Sequence, residues 1–207
     1  MLIVIPGSEV GLHPALMDRA YRFRHTIFVE QKGWEELRRP DGCERDRFDD
    51  AHAVHHICMR GEEIVGYQRL LPTTRPHLLS EVLSDLCRQP APRGPRVFEW
   101  TRFCVAPPYR EMRPRNDSPL LELAQGVVEW GRARRVDTVT VAIDWRLMLI
   151  AMQLRFSIRP LGFPKRIGRD DVVALRMSFG QDTLEAIQAA RGTTEPVLAP
   201  APWPTAA

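Results

Sequence analysis

Apolar positions along the chain switch repeatedly between the two-residue period of a strand and the wider period of a helix. Leu2 to Ile5 predicts a short first strand, closed by Pro6-Gly7. From Leu16 to Gln31 the spacing is helical: Leu16, Ala20, Phe23 and Ile27 make one stripe, and Tyr21, Arg24 and Phe28 a second beside it. The second stripe has two readings. It is a boundary face with Arg24 laid over apolar surface, or it carries a cation and an aromatic ring into a cleft. Residues 32–50 form a long polar loop, with a turn at Pro40-Asp41-Gly42. Trp34 stands there without apolar neighbours in sequence, so it must dock on something. Asp46 and Asp49 lie among arginines, as in a solvated charge cluster.

Val54–Met59 and Glu63–Leu71 predict a hairpin, with Gly66 marking a bulge or a close approach and Arg69 inside the second strand. A short helix over Leu78–Cys87 and a Pro-rich connector lead to a central strand, Val97–Val105. Pro119 opens a helix to about Arg134 on Leu120, Leu123, Val127 and Trp130, capped by Asp117 or Ser118. A strand over Thr138–Ile143 follows. A helix over Leu147–Leu154, short strands near Ser157–Pro160 and Val172–Met177, and a helix over Asp182–Ala190 complete the order. The expected organisation is one domain over 1–191 and a flexible or loosely docked Pro/Ala-rich tail over 192–207.

The central strand, FEWTRFCV, carries the first chemical signal. It is aromatic and β-branched, yet holds Glu99 and Arg102, whose burial is costly unless they are paired or used. Three residues apart, they would face opposite sides of a regular strand. A β-bulge between them would bring both to one face and free backbone groups. The plain alternative is a structural Glu–Arg pair across the sheet.

A length of 207 residues allows a full core, and a net charge of +3 is too small to imply nucleic-acid binding. The basic residues are nearly all arginine, Lys32 and Lys165 being the two lysines, and arginine is the better ligand for carboxylates and phosphates. Cys43, Cys58, Cys87 and Cys104 show no zinc spacing, and the His52, His55, His56 run reads as a loop entering a strand, so no metal is expected. With neither a charged n-region nor a long apolar run, the expected location is the cytoplasm, away from membranes.

The mixed order of strands and helices is similar to the GNAT acyltransferase fold: an α/β mixed open sheet flanked by helices. The place of that fold's Gly-rich pyrophosphate loop holds Arg110 to Asp117, REMRPRND, without glycine. This disfavours a GNAT-like N-acyltransferase that does not use S-adenosylmethionine (SAM), the alternative reading.

The residues resemble the acyl-homoserine-lactone synthases, the LuxI-type autoinducer synthases, over roughly residues 15–180. Arg24, Phe28 and Trp34 stand in RFRHTIFVEQKGW, Asp46 and Asp49 in DRFDD, Arg69 in GYQRLLPT, and Glu99 and Arg102 in FEWTRFCV. The resemblance implies acylation of the SAM amine by an acyl thioester, then lactone closure with release of methylthioadenosine, a quorum-sensing signal synthesis. SAM is a substrate, and no cofactor is implied. Glu99 would be the base or the amine anchor. The bulge at Arg102-Phe103 would supply oxyanion donors. Arg24, Phe28, Trp34, Asp46, Asp49 and Arg69 would bind SAM, with Trp34 and the acidic loop closing over it. Thr140, Ile143, Met148 and Met152 are candidates for the acyl pocket. The donor is acyl carrier protein, for which Arg132, Arg134, Arg135, Arg155, Arg159, Lys165 and Arg166 would form a basic patch, or acyl-CoA, towards which LRRPDG, RLLPTT and PLGFP lean. One departure from the family is Arg155 before Phe156, where many members carry glycine.

Overall fold

In the computed structural model, which describes residues 1–110 and 118–198, strands follow the predicted alternation closely. β1 (Leu2–Pro6), β2 (Val54–Arg60), β3 (Glu63–Pro72), β4 (Val97–Val105) and β5 (Thr138–Asp144) lie in sequence order, followed in space by β8 (Asp170–Ser178) and β6 (Ser157–Pro160). A short strand not expected from the sequence, β7 (Lys165–Ile167), pairs with β8. Every pairing is antiparallel except β4 with β5, which run parallel from Val97–Thr138 to Glu99–Thr140.

Helices cover both faces. α1 (Pro14–His25) packs on the side of Ile57, Ile64, Tyr67 and Cys104. α3 (Pro119–Ala133) and α5 (Gln181–Arg191) pack on the side of Leu70, Trp100, Val139 and Leu175. The sealed face of α1 is Met17, Ala20, Tyr21 and Arg24, whereas Leu16 and Phe23 are only half-buried. The second stripe is therefore the core face, and Arg24 is fully buried rather than laid along a boundary.

The single helix expected over 16–31 is interrupted. Residues Thr26–Gln31 form a π-turn, with the Lys32 N–H donating to the Ile27 carbonyl. The wider turn buries Ile27, Phe28 and Val29 in succession, which a regular α-helix face does not allow. Likewise the helix expected over 78–87 is only α2 (Leu78–Glu81) and a 3-10 turn, Ser84–Leu86. Ser84 and Asp85 favour local turns over helix continuation.

α4 (Trp145–Gln153) starts two residues early, capped by the Asp144 carboxylate accepting the Arg146 N–H. Ser118 caps α3 by position without a side-chain bond. The start of the tail is docked: Val197 and Leu198 N–H groups donate to Glu129, and Leu198 bridges to Leu2. The remainder of the tail and most of the glycine-free stretch, 111–117, lie outside the described residues. Arg155 has φ 58°, the left-handed region that glycine favours, which gives a backbone reason for glycine there. No helix among the described residues is long and apolar enough to cross a membrane.

Candidate active site

Beyond Glu99–Thr140 the two parallel strands part, and a cavity of about 340 Å³ opens in the gap. β4 contributes Glu99, Arg102 and Phe103 to its wall. The expected bulge is present. Tyr67 pairs with Cys104 but Arg69 with Thr101, so two residues of β4, Arg102 and Phe103, oppose Gln68 alone. Arg102 takes φ 54°, and the extra residue turns both Glu99 and Arg102 to the cavity.

Glu99 and Arg102 are not each other's partners. The Glu99 carboxylate, 1% exposed, accepts the Leu78 N–H at 2.7 Å and the Leu79 N–H at 2.8 Å, at the start of α2. Burial pushes its pKa up to about 7, opposed by those two N–H groups and by the charges of Arg69 and Arg102. It is a fixed carboxyl that exchanges a proton near neutral pH.

Arg102 turns instead to Glu44 at 3.1 Å and Asp46 at 2.8 Å, and Glu44 is the residue the sequence reading missed. Arg24 donates to Glu44 at 2.6 Å, to Asp49 at 2.7 and 3.0 Å, and to the Tyr67 hydroxyl at 3.1 Å. Arg69 donates to Asp46 at 2.7 and 3.0 Å and to Thr101 at 3.1 Å, and lies 2.7 Å from Asp49. Three guanidinium groups and three carboxylates thus neutralise one another. Burial alone would raise Asp49, but Arg24 and Arg69 hold it well below the usual carboxylate range. Glu44 and Asp46 are lowered in the same way, against burial, by Arg24 and Arg102 and by Arg69 and Arg102 respectively.

This arrangement corrects the reading of the acidic stretch as a solvated cluster: Glu44, Asp46 and Asp49 are tied to Arg24, Arg69 and Arg102. Arg24, Arg69, Asp46 and Asp49 also do not line the cavity; they brace the wall behind Arg102, with their hydrogen bonds spent on each other. Of the residues expected to bind SAM, Phe28 and Trp34 line it. Trp34 finds its dock there: its ring stacks on Phe28 with centroids 5.2 Å apart and planes 19° from parallel.

Of the acyl-pocket candidates, Ile143 lines the cavity, whereas Thr140, Met148 and Met152 do not. Thr140 sits on the last hydrogen-bonded pair, before the strands part. On α4 the lining stripe is Leu147, Ile150, Ala151 and, just past the helix end, Leu154, at i, i+3, i+4 and i+7. Met148 packs beside it in the core, and Met152 faces solvent at 55% exposure. His55 and His56 point to opposite faces of β2, bonding Tyr67 and Gln68 respectively.

The arrangement has relatives. The autoinducer synthase family matches residues 11–187. Isovaleryl-homoserine lactone synthase of Bradyrhizobium diazoefficiens is 31% identical over 189 residues, covering 90% of this chain and 84% of that protein. An acyl-homoserine-lactone synthase of Ralstonia nicotianae is 33% identical over 188 residues, 86% of this chain and 89% of its own. The solved structure of BjaI, a CoA-dependent acyl-homoserine lactone synthase, superposes with a TM-score of 0.86 at 29% identity, over 94% of this chain and 90% of that one. An N-acetyltransferase structure from Lactobacillus plantarum shares the fold alone, with a TM-score of 0.57 at 17% identity over 86% of this chain and 99% of its own. The GNAT-like sheet expected from the element order is thus borne out, and the chain belongs to the autoinducer synthase family, the acyl-homoserine-lactone synthases.

Proposed function

We propose that the cavity joins the amine of SAM to an acyl group carried on CoA, and that Glu99 accepts the proton the amine must lose. The observation that carries this reading is the position of Glu99: a buried carboxyl with its pKa pushed up to about 7, facing a cavity with an apolar end between β5 and α4. The amine attacks the thioester carbonyl, the C–N bond forms, and the CoA thiol leaves with a proton. The SAM carboxylate then attacks its own γ-carbon, closing the lactone and expelling methylthioadenosine. Lactone closure needs mainly a folded SAM, held so that the two atoms meet. The bulge at Arg102-Phe103 is the place for donors to the tetrahedral oxyanion, since a bulge leaves ladder groups free.

The stacked pair Phe28–Trp34 offers aromatic surface to the sulfonium, worth about 0.5–2 kcal/mol. Trp34→Ala should therefore weaken SAM binding severalfold and leave the acyl-donor KM nearly unchanged. Equal loss of both in a calorimetric and kinetic comparison would reduce Trp34 to a packing residue.

The acyl chain fits the apolar end, between β5 and α4. Ala151→Phe should cut kcat/KM for larger acyl donors by about tenfold or more through overpacking, with SAM affinity kept. Met152→Ala, on the outer face, should change neither. If Met152→Ala alters acyl preference and Ala151→Phe does not, the pocket lies elsewhere.

Support for CoA as carrier comes from BjaI, solved with SAM and isopentyl-CoA at 29% identity, and from MesI, another CoA-dependent synthase, at 28%. In the basic patch expected for carrier protein, Arg132 donates to Gln181 and Arg134 lies over the Trp130 ring. The deciding experiment measures methylthioadenosine from SAM with one acyl group presented on CoA and on acyl carrier protein. Product from CoA at the higher kcat/KM is expected. A large preference for carrier protein, lost when Arg132, Arg134 and Arg135 become Ala, would overturn the CoA assignment. Absence of methylthioadenosine with every donor would overturn the reaction.

A further inference from the structure

We propose that Lys32 sets the affinity for SAM by competing with its sulfonium for the aromatic pair. The two stacked rings each carry one of the chain's own cations: Arg102 lies 5.7 Å from the Phe28 ring centre, and the Lys32 ammonium 5.3 Å from that of Trp34. A sulfonium that takes a ring face must share or displace one of them. Arg102 is held by two carboxylates and is 8% exposed at its side chain, so it stays.

Lys32 is the movable one. Its side chain is 41% exposed and ends in a flexible stem, anchored by one ion pair to Asp170 at 3.0 Å. That pair joins the residue after the π-turn to the start of β8, and both partners line the cavity. It holds a tethered cation on the cavity lining, over the Trp34 ring. An exposed pair of this kind is weak, so an incoming cation can break it. Bound SAM carries two positive groups and one negative, so the Lys32 ammonium on the cavity lining also repels it. Asp144 lines the same cavity but is taken up by Arg146, whose backbone N–H and guanidinium donate to it at 3.0 and 2.9 Å.

The inference rests on the reading of this cavity as the SAM site. Its test is calorimetric titration of the full chain, wild type, Lys32→Met and Lys32→Arg, with SAM and with S-adenosylhomocysteine, which has a neutral sulfur. Lys32→Met keeps most of the stem and loses the charge. It should bind SAM roughly threefold to tenfold more tightly than wild type, with S-adenosylhomocysteine changed by less than about twofold. Lys32→Arg keeps the cation and should bind SAM as wild type does. Weaker SAM binding by Lys32→Met would mean that Lys32 holds the SAM carboxylate, and would overturn the proposal. So would an equal gain for both ligands, which would place the effect away from the sulfur. If wild type and variants all fail to bind SAM, while their melting temperatures match, the SAM reading falls and the competitor role with it.

Discussion

Glu99→Gln should lower kcat by about a hundredfold or more while SAM still binds, because an amide cannot take the proton from the attacking amine. In the wild type the same group predicts the pH profile. kcat/KM should rise about tenfold per pH unit up to about 7 and level off above it, since only the carboxylate accepts the proton. The variant also reports on stability with a definite sign. Glu99 is raised from 4.5 to about 7, so the folded state binds more protons than the unfolded state between those values. Wild-type stability therefore falls as pH rises through that window, by roughly 3 kcal/mol from this one group. Gln has no such dependence, but its NH2 must face the Leu78 or the Leu79 N–H, a mismatch of about 1–2 kcal/mol. The melting temperature of Glu99→Gln relative to wild type should thus be lower at pH 5 and recover at pH 8. Full activity together with a pH-independent difference in melting temperature would leave Glu99 only the task of anchoring α2.

The same stretch shows how far the sequence could be read. A three-residue gap between two ionisable groups on a strand pointed to a bulge, because strand alternation leaves few ways to use both on one face; the register at Tyr67 and Arg69 bears that out. The partners of Glu99 were not legible. They are backbone N–H groups at the start of α2, and a backbone donor has no residue-type signature. Glu44 was hidden for another reason. In CERDRFDD six of the eight residues are charged, and nothing in the string separates the carboxylate that is fully buried from those that meet water. Along α4 the cavity lining follows the helical period: Leu147, Ile150, Ala151 and Leu154 form a regular stripe, and Met148 and Met152 fall off it. The π-turn had no signal at all, since its period appears in one turn only.

Arg24→Met should cost about 3–5 kcal/mol of folding stability. Arg24 is fully buried, braced by Glu44, Asp49 and the Tyr67 hydroxyl, with its guanidinium 5.3 and 5.2 Å from the Tyr21 and Tyr67 ring centres. Met fills a similar space but leaves the network with one uncompensated negative charge away from water. Against a typical total of about 5–15 kcal/mol that loss is large, and for a chain of this size it lowers the melting temperature by roughly 6–20 °C. The destabilisation should be smaller at pH 5 than at pH 8. Without Arg24 the Asp49 and Glu44 carboxyls lose the charge that lowers them, so they protonate more readily as pH falls and the unpaired charge disappears. Glu44→Gln added to Arg24→Met should restore part of the loss by returning the network to neutrality. Activity should fall with it, since Glu44 also fixes Arg102 at the cavity wall. A cost under about 1 kcal/mol, the range of exposed ion pairs, would show that water reaches these carboxylates and that the wall behind Arg102 is open.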